Sequence, residues 1–113
     1  MSRLTCLMTS SLYLEPFCGV NVEAQLCGTP VIAPESGAFV EAIEHRRTGL
    51  LCNTLADYCL GVQLALDGHF DRRCVRERAQ RYDMYEVAKQ YDYAFRCIAD
   101  LRREGWYAET SHY

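Results

Sequence analysis

The chain has 113 residues, 50% of them hydrophobic and 24% charged, and carries a net charge of −3. That composition suits one ordinary globular domain with a modest core, and it gives the chain as a whole no electrostatic pull toward nucleic acid. No apolar run approaches the roughly 20 residues that span a bilayer, and Met1 to Met8 is too short and too mixed for a secretory leader, so the cytoplasm is the expected location.

In chain order, Ser11-Leu12-Tyr13-Leu14 reads as a short buried strand delivering Glu15 at its carboxyl end, with Pro16 as its stop. A helix is expected from about Gly19 to Cys27, closed by Gly28 as a left-handed C′ residue. Pro30 can open a strand without costing a ladder hydrogen bond, and Val31-Ile32-Ala33 then reads as buried strand, closed by Pro34. A second short helix is expected over Ala38 to Glu44, and Thr48-Gly49-Leu50-Leu51-Cys52 is a third strand candidate. Short apolar strands alternating with helices indicate βαβ units and a parallel sheet. Ligands of such sheets bind beyond the carboxyl ends of the strands, where Glu15 and the Pro34-Glu35-Ser36-Gly37 loop fall.

From residue 53 the pattern is helical. Thr54 with Asp57 resembles an N-cap pair, followed at helical spacing by Leu55, Cys59, Val62 and Leu66, with Gly68 as a stop. A further helix carries Phe70, Val75, Ala79 and Tyr82 on one side. The last and longest starts with Asp83 and Glu86 as a capping pair, carries Met84, Val87, Tyr91, Phe95, Ile98 and Leu101 as an apolar stripe, and ends at Gly105.

Seven cysteines are scattered along the chain, and none forms a C-x-x-C pair, which argues against a disulfide scaffold or a zinc site. They read as small apolar fillers, with Cys18 set apart by its place at a helix start. His45, His69 and His112 lie in polar or terminal contexts and read as solvated, as does Glu41 on its short helix. Arg72, Arg73, Arg76, Arg78 and Arg81 form a basic cluster offset by Asp71 and Glu77. It reads as a solvated helix face with internal ion pairs, or as a contact for an anionic surface.

The most informative stretch is Glu15 to Ile32. Two carboxylates, Glu15 and Glu23, flank a turn at a helix start. Unpaired N–H groups there can hold a phosphate, and carboxylates beside them can accept from sugar hydroxyls. The combination suits a sugar joined to a nucleotide diphosphate. No D-x-D metal motif is present, and no metal or cofactor is expected.

Residues 12 to 52 resemble the C-terminal nucleotide-sugar-binding domain of the two-domain (GT-B) glycosyltransferases, and within them the retaining group with an E-x7-E motif, here Glu15 to Glu23. The resemblance continues through Cys27-Gly28-Thr29-Pro30-Val31-Ile32, Ser36-Gly37-Ala38-Phe39-Val40-Glu41 and Thr48-Gly49-Leu50-Leu51. It implies an α/β fold, part of a Rossmann-like parallel sheet flanked by helices with a helical C-terminal tail. A βαβ core would span 10–52 and a helical part 53–105 of a single partial domain. It also implies roles. Glu15 takes the catalytic position and bonds hydroxyls of the donor sugar. Phe17, Cys18, Gly19 and Val20 approach sugar and diphosphate, and Glu23 holds the two ribose hydroxyls. Cys18 intervenes where the family has glycine directly after Glu-Pro-Phe, Ala38 replaces a second glycine, and Val40 replaces a common proline.

The resemblance covers the later part of one lobe. The acceptor lobe, the early strands and the basic residues that meet the diphosphate have no counterpart here, so the chain reads as a fragment or a reduced relative. The expected partners are a nucleotide-diphosphate sugar and a separate acceptor lobe or a second copy. The alternative is a non-catalytic remnant or partner-binding module. A thiol-based redox protein would rest on the cysteine count alone.

Overall fold

Three short parallel strands carry the fold. The computed structural model describes residues 1–104. β1 (Leu7–Met8), β2 (Val31–Pro34) and β3 (Gly49–Cys52) pair in the order β1-β2-β3. Leu7 lies opposite Val31 in one pair, and Val31 lies opposite Gly49 in the other. The central strand is the driest part of the molecule, with Val31, Ile32 and Ala33 fully buried. That continuous apolar run is what a strand covered on both faces requires.

Helices cover the two faces. α1 (Gly19–Leu26) and α2 (Ala38–Ala42) follow β1 and β2. On their side Ala24, Val31, Ala33, Phe39 and Ile43 form one core cluster, with Cys18 packed against it. α3 (Leu55–Leu66) and α4 (Arg72–Ala79) follow β3. On the other face Ile32, Leu50, Cys52, Phe70 and Val75 form the second cluster, with Tyr58, Leu64 and Ala65 packed on it. Odd and even residues of β2 thus serve opposite cores.

Local chemistry explains most boundaries. Gly28, at φ 78°, closes α1, and an added Cβ there would stand 2.9 Å from the Arg72 carbonyl oxygen. The Thr54 side chain accepts from the Asp57 N–H, and the Asp57 carboxylate accepts from the Asn53 and Thr54 N–H groups, a full capping box for α3. Those backbone donors hold the Asp57 carboxyl below its ordinary pKa. Asp71 caps α4. Burial, aided by the nearby Asp57 charge, pushes the Cys52 thiol up to about 11.

Two expectations are corrected. Residues 11–14 form no strand: they bend through solvent with Leu12 fully exposed, and the sheet's first strand is the earlier Leu7–Met8 pair. Cys6 and Leu7 lean on the cores, whereas the 12–14 run has nothing to pack on. α3, in turn, meets the sheet not through Leu55, Cys59 and Leu66, which are exposed, but through Tyr58, Gly61, Leu64 and Ala65. Gly61 makes this possible, because a Cβ there would meet Ile32 Cγ2 at 2.8 Å.

The basic cluster is largely committed within the fold. Arg72 donates to the main-chain oxygens of Leu4 (2.7 Å) and Ser2 (2.8 Å) and to Thr29 Oγ1. Arg78 pairs with Glu44 at 2.7 Å, and Arg81 donates to the Glu41 carbonyl and lies over the Tyr82 ring. His45 Nδ1 accepts from the Leu51 N–H, and the His69 ring meets the Arg46 carbonyl at 3.2 Å.

Residues 1–82 form one compact unit, and a second begins at Asp83. In the second, α5 (Met84–Glu104) starts with Asp83 accepting from the Tyr85 N–H through its carboxylate and from the Val87 N–H through its carbonyl. Glu86 pairs with Lys89 rather than closing a capping box, and Arg96–Asp92 and Arg103–Asp100 pairs follow along the helix. The expected stop at Gly105 and the expected solvated His112 lie outside the described residues. No described helix is long and apolar enough to cross a membrane.

Candidate functional site

The carboxyl end of the sheet is where two loops converge. The segment after β1 carries Glu15, the segment after β2 carries Gly37, and the two are joined by the Ala38 N–H donating to the Glu15 carbonyl oxygen at 2.8 Å. Glu15 is half-buried. Its Oε1 accepts from Ser11 Oγ at 3.1 Å, and hydrogen bonding toward this carboxylate together with its charge holds the exposed Tyr13 phenol above its ordinary pKa.

Four residues on, α1 begins without a side-chain cap at Cys18. Helix geometry leaves the amides of Gly19, Val20 and Asn21 with no acceptor inside the helix, so this end presents donors and the positive end of the helix dipole. Glu23 is exposed and turned back along its helix: its Oε1 lies 4.0 Å from where a Cβ on Gly19 would stand. Helical side chains lean toward the N-terminus, which brings a carboxylate at the second turn back to the helix mouth.

The helix is held firmly from behind. Gln25 Nε2 donates to Asn21 Oδ1 at 2.6 Å and to the Ala42 carbonyl of α2 at 3.2 Å, both within the buried interior. The remaining expected residues divide. Gly19 and Val20 are exposed at the helix start, and Cys18 is half-buried against the first core cluster. The exposed Phe17 ring lies 6.4 Å from Tyr82. Just after β1, the Thr9 hydroxyl is buried without a hydrogen-bond partner, the one such side chain among the described residues, and the Thr9 carbonyl accepts from the Tyr58 hydroxyl of α3.

Sequence reasoning missed Ser11 and Gly37 as the residues that hold Glu15. Ser11 lies in a stretch whose composition predicts a strand, and its spacing from Glu15 carries no mark. A hollow of about 290 Å³ lined by Arg3, Leu4, Pro30, Ala65, Phe70 and Arg72 lies at the opposite, amino-terminal end of the strands, away from both carboxylates. Among the described residues no group of acidic, histidine or cysteine side chains could hold a metal ion.

The family model described as glycosyl transferases group 1 matches residues 1–80. The chain belongs to that family. Similar proteins include a D-inositol 3-phosphate glycosyltransferase of Mycobacteroides abscessus, 36% identical over 95 residues that make up 80% of this chain and 21% of the relative. D-inositol 3-phosphate glycosyltransferase 2 of Catenulispora acidiphila is 34% identical over 97 residues, 80% of this chain and 23% of the relative. A D-inositol 3-phosphate glycosyltransferase of Jonesia denitrificans is 51% identical over a shorter 37 residues. This member of the group 1 glycosyl transferases therefore spans about a fifth of the length of the relatives it matches most broadly. Its three-stranded parallel sheet flanked by helices suits part of a Rossmann-like GT-B domain.

Proposed function

We propose that this chain is the donor-binding part of a retaining glycosyltransferase and takes a sugar joined to a nucleotide diphosphate. The observation that carries the proposal is the placement of Glu15: its carboxylate is held by Ser11 four residues ahead of an uncapped helix whose Glu23 carboxylate turns back toward the same mouth. An oriented carboxylate accepts from adjacent sugar hydroxyls, while free N–H groups at a helix start stabilise a diphosphate leaving group. Glu15 would hold the donor hexose, the backbone of Phe17 to Val20 would face the sugar and diphosphate, and Glu23 would take the ribose hydroxyls. Transfer to an acceptor hydroxyl with retention at the anomeric carbon would then rest on positioning and on leaving-group stabilisation. The acceptor side and a cytoplasmic setting belong to the same proposal.

A panel of nucleotide-diphosphate sugars, and the same nucleotide diphosphates without sugar, titrated into the chain tests this by thermal shift and calorimetry. Binding by the parent that is lost in Glu15→Gln and Glu23→Gln is the expected result. Equal binding by parent and both variants overturns it.

A second reading, a module that needs a partner lobe, draws on the free edge of β1. Beside Met8, which is 56% exposed, the outward side of α3 offers Leu55, Cys59 and Val62 around shallow hollows of about 400 and 350 Å³. An open strand edge next to apolar side chains favours a covering chain. A nucleotide-indifferent monomer in light scattering would count against it.

A further inference from the structure

The main chain of Glu15 is pressed by a residue that can only be glycine. Gly37 sits at φ 56°, ψ −142°, a combination closed to ordinary L-residues. A Cβ added there would stand 2.8 Å from both the nitrogen and the oxygen of Glu15 and 3.4 Å from the Leu14 carbonyl carbon. The next residue, Ala38, donates its N–H to that same Glu15 oxygen at 2.8 Å. On the other side of Glu15, Pro16 restricts it to extended conformations. Ser11 Oγ then fixes the carboxylate from four residues upstream.

We infer that Gly37 and Ser11 are positioning residues that together preset Glu15 for the donor sugar, Gly37 through the main chain and Ser11 through Oε1. This rests on the reading above that Glu15 takes the sugar. Neither residue need touch the ligand. Their part is to remove the freedom that a carboxylate on an exposed loop would otherwise lose on binding, a loss that weakens affinity. The loop after β2 thereby governs a side chain carried by the loop after β1, and α2 serves as the rigid backing because Ala42 is tied to α1 through Gln25.

Two measurements keep this inference separate from the functional reading. Without ligand, hydrogen exchange at the Ala38 amide of Gly37→Ala should quicken on the order of tenfold, because its acceptor is displaced while the core amides of β2 stay protected. Unchanged exchange at Ala38 overturns the clamp whether or not any ligand binds. With ligand, Ser11→Ala should lose roughly tenfold in affinity for the nucleotide sugar and nothing for the corresponding nucleotide diphosphate, and Ser11→Thr should restore it. Gly37→Ala should show the same split, and combined with Glu15→Gln it should be no weaker than Glu15→Gln alone. Equal losses for sugar and diphosphate, or full additivity in the double variant, would refute the positioning role. If the parent binds no member of the panel, the donor reading fails, and with it the role for the sugar. The Ala38 exchange would still show whether the clamp exists, and Ser11→Ala covers the case in which Gly37→Ala does not fold.

Discussion

Residues 1–82 and helix α5 contain similar apolar side chains and use them in opposite ways. In the first unit Val31, Ile32, Ala33, Phe39 and Val75 are fully buried. In α5 Met84 is 72% exposed, Phe95 64% and Ile98 57%, although they repeat with a helical period as regular as any in the chain. A period shows which face of a helix prefers to be covered. It does not show what covers it. The sheet answers that question for α1 to α4, since β2 is apolar on both faces and a core cluster gathers on each of them. α5 begins the second unit, which holds no strand among the described residues.

The largest test of this contrast compares phenylalanines. Phe39→Ala should cost about 3–5 kcal/mol in urea denaturation, as expected for an aromatic removed from a closed core. Phe95→Ala should cost less than about 0.5 kcal/mol. Comparable losses would mean that the α5 stripe is covered in solution. Next in size, Gly61→Val should cost about 1–3 kcal/mol, because the added carbons meet Ile32 and Leu50 where α3 crosses the sheet. An unaffected midpoint would mean that α3 can lift away from the strands. Smaller again, Thr54→Ala should cost about 1 kcal/mol through loss of the α3 cap. The subtlest effect depends on pH. The Asp57 carboxyl lies below its ordinary pKa in the folded chain, so its contribution is complete above about pH 4, the unfolded value, and fades as pH falls through the folded one. Asp57→Asn should flatten the acid limb of the melting temperature against pH. An acid limb of unchanged slope would assign it to other carboxylates.

Much of the fold was legible because it rests on local signals. The C′ glycine at Gly28, the Thr54–Asp57 box and the continuous apolar run of β2 each act within a few residues, and the structure bears each out. The missed strand is different. Leu12, Tyr13 and Leu14 look more strand-like in isolation than Leu7 and Met8, but pairing with Val31 and Ile32 decides strand identity, and that contact spans more than twenty residues. The face of α3 was hidden for a related reason. The most intimate contact on that helix is made by a glycine, which hydrophobic periodicity does not count. At the candidate site the spacing of Glu15 and Glu23 could be read directly. The hold on Glu15 could not, because it depends on a backbone conformation at Gly37, twenty-two residues away.

The buried Asn21–Gln25 pair sets the azimuth of α1. A helix seated only by Val22 and Ala24 could roll a few degrees on the sheet, because apolar contacts are non-directional. A buried amide whose hydrogen ends on one particular carbonyl, that of Ala42, tolerates no such roll without leaving polar atoms unpaired. The pair therefore works as a key in a slot. It fixes the compass bearing of the amides of Gly19 to Asn21, and with them the direction from which an anion can approach.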